Sequence, residues 1–454
     1  MDKGDQLVSP EEPRIEGDAT ADELFDYALA GETAGETSVE AGVDRDAFFV
    51  SKKAAAVFKH SLLKSYFPRF AGKTGSTELN KRLVYVDTHA GPGKYEDDTP
   101  GSPLLIAENV TGMLGASGRA HRDIACMFVE ARPSHYRHLT EVLEEHMPLN
   151  ALWKTRRGKA STYLAEALEF AADSPLFMFI DPYGLGPSFD EVVRILARPR
   201  TGRGSKTEIL LNFISMAFSR AGGYLKVSEP TRQQLTTLER LDTVLGGDWW
   251  REIYLSSSSG GSAVSKLAQE YATRVCNAVD HRPRSGVRQR CRATLIPVRN
   301  TLEQDVPVYW LVHFTFHPHG AWCMAEAAAK ANLAWRHTNH QLSLMKALTQ
   351  DTGQGDLFGE LLPQASEDTR ARAEEKLQQQ WLDIITGNLL RLVGTRPQLD
   401  VCDDMAEIFG ATLGLAHGKH LRKAWDQLAD EGVLIGRDRR KPLENQMIRR
   451  ARLD

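Results

Sequence analysis

Two periodicities divide this chain. After residue 46, Val57, Leu62, Leu63, Tyr66 and Phe67 recur at helical spacing, with Lys52, Lys53, Lys59 and Lys64 on other faces. Lys73 to Asn80 reads as a loop. Short apolar runs then alternate with helical stretches. The runs are 83–87, 124–130, 151–155, 176–181 and 208–213, and the helical stretches are 103–114, 133–147, 161–172 and 187–197. Strand and helix in regular alternation predict an α/β fold, a doubly wound, mostly parallel Rossmann-like sheet. Residues 230–280 read as a helical insertion, 292–298 and 306–316 as an antiparallel strand pair, and 320–336 as an alanine-rich helix.

Beyond 340 the pattern changes. Residues 345–370 are rich in Thr, Gly, Gln, Asp, Pro and Ser and read as a linker. Helices follow near 371–392, 401–409 and 419–430, and 431–436 and 447–449 read as two short strands around a basic turn. Helices followed by a basic hairpin resemble a winged helix. The expected domains are an acidic disordered tail at 1–46, a Rossmann-like domain at 47–340, a linker at 341–370 and a winged-helix-like domain at 371–454.

Composition adds exclusions. The chain has 454 residues, 42% hydrophobic and 26% charged, as expected of a globular protein of two domains. No apolar run approaches the roughly 20 residues that span a bilayer, and no apolar signal core follows Met1, so a cytoplasmic location is expected. Cys126, Cys276, Cys291, Cys323 and Cys402 form no Cys-x-x-Cys pair, which argues against a zinc ribbon or a disulfide framework. The net charge of -4 hides a segregation. Lys3, Arg14 and Arg45 are the only cations of residues 1–46, whereas the C-terminus carries Arg437, Arg439, Arg440, Lys441, Arg449, Arg450 and Arg452. Arg437, Arg439, Arg440 and Lys441 are therefore candidates to bind nucleic-acid phosphates, the competing reading being a solvated face.

The chemistry is expected at three strand ends, because ligands of parallel α/β sheets bind beyond them. Leu83 to Asp87 runs into Thr88-His89-Ala90-Gly91-Pro92-Gly93, where glycines let backbone approach a ligand. Glu130 ends the second run, where a Rossmann-type fold places a carboxylate against ribose hydroxyls. Phe177 to Ile180 runs into Asp181-Pro182-Tyr183-Gly184, in which proline ends the ladder, leaves the Asp181 carboxylate free to accept from an amino group, and gives Tyr183 a flat face for a base. Ordinary turns and strand caps are the competing readings. His313, His317 and His319 invite a metal reading, but positions four apart on a strand do not converge easily, so no metal is expected. Trp249-Trp250 reads as core.

Asp181-Pro182-Tyr183-Gly184 resembles the Asp/Asn-Pro-Pro-Tyr signature of amino-methyltransferases and, more closely, the Asp-Pro-Phe-Gly of tRNA guanine-N2 methyltransferases. The aromatic stands third rather than fourth, which departs from the adenine-N6 pattern. Val84 to Tyr95, Gly101-Ser102-Pro103-Leu104, Phe128-Val129-Glu130, Phe179 to Gly184, Leu211-Asn212-Phe213 and Val308 to Gly320 together resemble the three-Cys-motif partner family over roughly residues 50–340. The family is named for cysteines in a neighbouring radical-type protein. His89 stands where Phe or Tyr is expected. The resemblance implies a Rossmann-type methyltransferase with S-adenosylmethionine as cofactor and a three-Cys-motif protein as partner. Asp87, Ala90, Gly91, Gly93 and Glu130 would hold the cofactor, and Asp181, Pro182 and Tyr183 would position an amino group of a nucleobase in DNA or RNA. Two alternatives stay open: a scaffold of the same fold without turnover, and another nucleotide-binding enzyme. Gly91-Pro92-Gly93 lacks the third glycine of a dinucleotide fingerprint.

Overall fold

A computed structural model describes residues 45–75, 82–95, 99–114, 123–182, 184–199, 206–281, 290–299, 306–350 and 361–451. The expected acidic tail, except for its last two residues, and Tyr183 lie outside the described residues. The first domain runs α1 (Arg45–Gly75), β1 (Arg82–Asp87), α2 (Ser102–Leu114), β2 (Asp123–Glu130), α3 (Pro133–His146), β3 (Leu152–Arg157), α4 (Ala160–Ala171), β4 (Leu176–Ile180), α5 (Phe189–Leu196) and β5 (Thr207–Ile214). It continues with α6 (Ser215–Gly223), α7 (Arg232–Leu245), α8 (Trp250–Ser256), α9 (Gly260–Asp280), β6 (Arg292–Val298), β7 (Tyr309–Thr315) and α10 (Pro318–Gln350).

The seven strands order as β3-β2-β1-β4-β5-β7-β6. The first five are parallel, and β7 runs against both β5 and β6. The expected Rossmann-like α/β sheet is therefore present, with its order reversing between β1 and β4. Every residue of β4 is buried, as a central parallel strand covered on both faces must be. Alternation along the strands sorts two cores. Tyr85, Phe128, Phe177 and Phe179 face α1, α2, α3 and α10, while Val86, Met127, Met178 and Ile180 face α4, α5, α6, α7 and α9. Trp250 is fully buried in the second core.

The C-terminal module consists of α11 (Leu361–Thr395), β8 (Gln398–Asp400), α12 (Met405–Phe409), α13 (Gly418–Asp430) and β9 (Met447–Arg449). It shares a core with α10, where the Trp322 and Phe409 rings lie 6.0 Å apart. The Gly418 N–H donates to Glu326 at 2.6 Å and the Asn332 amide to the Gly414 carbonyl at 2.7 Å.

Three expectations shift. The helix before β1 extends through Lys73 and Thr74 to Gly75. The expected linker is helical at both ends: α10 reaches Gln350 and α11 begins at Leu361, leaving 351–360 outside the described residues. Gln341 to Gln350 contains no Gly or Pro to stop the helix. The C-terminal hairpin is reduced to a bridge between Leu434 and Arg450, and β9 pairs instead with β8, a strand too short to register as a pattern. Among the described residues no helix is long and apolar enough to cross a membrane.

Candidate active site at the strand ends

The β1–α2 loop is built around Asp87. This fully buried carboxylate accepts from the His89 N–H at 3.1 Å, the Ser102 hydroxyl at 2.7 Å and the Tyr85 hydroxyl at 3.3 Å. Burial pushes its carboxyl up to about 7 against those hydrogen bonds. Gly91 and Gly93 have φ of 67° and 80°. At Gly93 a Cβ would also come 3.2 Å from Val142 Cγ1, so the left-handed backbone favours glycine and a side chain there would crowd Val142. The Gly101 N–H donates to the Gly93 carbonyl at 2.8 Å, closing a flap in which Lys94 bridges to Pro100.

Glu130 ties that loop to β2. Its carboxylate accepts from the Gly91 N–H at 2.8 Å and from the Arg132 N–H at 2.7 Å, and the Ala90 N–H donates to the Val129 carbonyl at 2.9 Å. Two carboxylate oxygens offer about four lone-pair sites, so capacity for two hydroxyl donors remains. Behind Glu130 the chain leaves β3 at Gly158, whose N–H donates to the Glu130 carbonyl at 3.0 Å.

At β4 the structure corrects the sequence reading. The Asp181 carboxylate is not free. The Lys59 ammonium of α1 donates to Oδ2, and the Asn212 amide of β5 donates to Oδ1 at 2.6 Å. Asp181 continues the alternation of Phe177 and Phe179, so its side chain falls on the face that α1 covers. Burial opposes both charges, but the ion pair outweighs it: the Asp181 carboxyl stays below its ordinary range and the Lys59 ammonium well above its own. Around the pair, burial pushes the imidazoles of His60 and His89 down to about 4. The Tyr95 and Tyr309 hydroxyls interact electrostatically with both partners.

A cleft of about 560 Å³ opens over these strand ends, within the range of small-molecule sites. Its lining runs from Thr88, His89 and Glu130 past Gly158 to Ser161, under Met178, Ile180 and Pro182, to Thr236, Glu239 and Arg240 of α7. Of the expected cofactor residues, Glu130 lines the cleft, while Asp87, Ala90, Gly91 and Gly93 shape the loop beside it. Of the expected catalytic residues, Pro182 lines it, Asp181 adjoins it through His89 and Pro182, and Tyr183 lies outside the described residues.

Sequence reasoning missed Lys59, Asn212 and the Gly158–Ser161 turn. Asn212 had a signal, as a polar residue inside a buried strand, and Glu208 and His313 share it. These two are used elsewhere: Tyr66 donates to Glu208, and the His313 ring lies 3.2 Å from Glu208 and 3.1 Å from the Tyr66 hydroxyl.

The four expected phosphate ligands fall on the C-terminal module, where they divide. Arg437 is forked onto Asp426, with both contacts at 2.8 Å and only 16% of its side chain exposed. Arg439, Arg440 and Lys441 are exposed, and so are Lys419, Arg422 and Lys423 on one face of α13. A comparison with protein-family models finds none that matches this chain, and a comparison with curated proteins finds no match either.

Proposed function

We propose that the chain is an S-adenosylmethionine-dependent methyltransferase acting on an amino group of a nucleobase in DNA or RNA. The observation that carries this reading is the bond from the Gly91 N–H to the Glu130 carboxylate, placed at the mouth of a cleft where the sheet order reverses. It joins a glycine loop that backbone can share with a ligand to a carboxylate with acceptor capacity left for ribose hydroxyls. The sheet order supports a ligand site at the same place, because the reversal between β1 and β4 opens a crevice at their carboxyl ends.

The residues present fit the cofactor. Glu130 would take the ribose, the Gly91–Gly93 loop the amino-acid portion, and Gly158 to Leu164 the adenine end of the cleft. When bound, S-adenosylmethionine would supply an electrophilic methyl group to the amine nitrogen. What the chain contributes is orientation and exclusion of water. Asp87 holds the loop, and Lys59 and Asn212 hold Asp181.

The C-terminal order of helix, strand, two helices and a second short strand that pairs with the first resembles a winged helix, and on this reading α13 and the 438–441 turn would form its basic surface. This reading gives the module the task of presenting nucleic acid. The family resemblance supplies a three-Cys-motif protein as partner. One observation favours the scaffold alternative: Asp181 already carries a lysine. Incubation with methyl-labelled S-adenosylmethionine, the three-Cys-motif protein and pooled DNA or RNA separates the two. Label in an exocyclic amine supports the enzyme, and no label in either pool favours the scaffold.

A further inference from the structure

The Asp181 cluster contains an unused acceptor. Asn212 must turn its Nδ2 toward Asp181, since the opposite orientation would set oxygen against oxygen, so its Oδ1 is fixed. Asn212 is 7% exposed and its Oδ1 has no hydrogen-bond partner. A buried carbonyl oxygen left unpaired is costly, and a donor entering the site would relieve that cost. The charges beside it cancel, because Lys59 and Asp181 form one ion pair. His60 and His89 are neutral above about pH 4, and Asp87 is turned to Ser102, Tyr85 and the His89 N–H. Tyr95, 46% exposed on its flap, flanks the group.

Resting on the methyltransferase reading, we propose that this cluster is an acceptor subsite for an uncharged aromatic amine, in which Asn212 Oδ1 accepts one amine N–H and Lys59 excludes alkylammonium groups. An alkylamine arrives protonated at neutral pH, like lysine with its pKa of about 10.4. It would need an anion to pair with and a base to deprotonate it. Lys59 has taken the anion, repels a second cation, and keeps Asp181 a poor base. The exocyclic amine of a nucleobase arrives neutral and brings the N–H that Asn212 lacks. Lys59 and Asn212 thus act as specificity-determining residues through charge and hydrogen bonding.

The test titrates the full chain, saturated with S-adenosylhomocysteine, with 9-methyladenine, 1-methylcytosine, 9-methylguanine and n-butylammonium. At least one base is expected to bind tenfold or more tightly than butylammonium. Lys59→Met should raise butylammonium affinity at least tenfold and reverse the ranking, Lys59→Arg should keep it, and Asn212→Leu should weaken the base tenfold while leaving butylammonium unchanged. Lys59→Gln replaces Lys59→Met if the latter does not fold. Equal binding of butylammonium and the bases, or an unchanged ranking on loss of the Lys59 charge, overturns the subsite alone. Failure to bind S-adenosylhomocysteine overturns the methyltransferase reading itself.

Discussion

Lys59 and Asp181, 122 residues apart in sequence, meet as an ion pair that fastens the first helix to the end of the fourth strand. Two roles therefore converge on Asp181: it borders the cleft, and it anchors α1.

Asp181→Ala should consequently do two things. Methyl transfer should be lost while S-adenosylhomocysteine still binds, because the carboxylate lies beside the cleft proposed for the cofactor and not in its lining. Stability should fall by roughly 3 kcal/mol, since one partner of a largely buried pair is left behind. The double variant Lys59→Met/Asp181→Ala should regain part of that stability without regaining transfer. Chemical denaturation and calorimetry measure the two effects separately. Loss of cofactor affinity in Asp181→Ala would reverse the assigned halves of the site.

The loop offers a cleaner structural test. Gly93→Ala should cost about 1–2 kcal/mol from the left-handed backbone, with further crowding against Val142. The loop carries the Gly91 N–H that reaches Glu130, so affinity for S-adenosylhomocysteine should fall with it. Unchanged affinity in a folded Gly93→Ala protein would separate the loop from the cofactor.

Stability should decline as pH falls from 6.5 toward 4. His60, His89 and His420 are pushed from 6.5 down to about 4 by burial, so the unfolded chain binds their protons first. Asp87, pushed up to about 7, opposes the trend because its folded form takes a proton between about 7 and 3.8. Three histidines against one carboxyl leave a net loss. His420→Gln should flatten the profile in thermal melts, and a profile as steep as that of the parent would remove His420 from the account.

The basic cations should behave as two classes. Alanine at Arg439, Arg440 and Lys441 together should lower the salt dependence of duplex binding by about 2–3 units of slope, uniformly across sequences. Arg437→Ala should instead cost up to about 1 kcal/mol of stability, because its guanidinium is committed to Asp426. Anisotropy titrations at several salt concentrations distinguish them, and an equal slope change on loss of Arg437 would show that the fork opens.

The order of strands and helices was legible because apolar runs such as Leu176 to Ile180 and capped starts such as Ser188 to Glu191 are local signals. The positions of Asp87, Glu130 and Asp181 followed from the same runs. What these carboxylates touch did not follow. Lys59 lies on a helix with several lysines, and only the three-dimensional path of α1 over the sheet selects it. Arg437 resembles its neighbours in the basic run until α13 brings Asp426 against it. The β8–β9 pairing was hidden because three-residue strands carry too little periodicity to read.

The central claim is that the Glu130 cleft holds S-adenosylmethionine, and calorimetric titration with S-adenosylhomocysteine tests it most directly. The account predicts saturable binding by the parent chain, and binding weaker by roughly 1.5–3 kcal/mol in Glu130→Ala from loss of a hydrogen bond to a charged group. Binding of NAD in place of S-adenosylhomocysteine, or equal affinity in parent and variant, would contradict it.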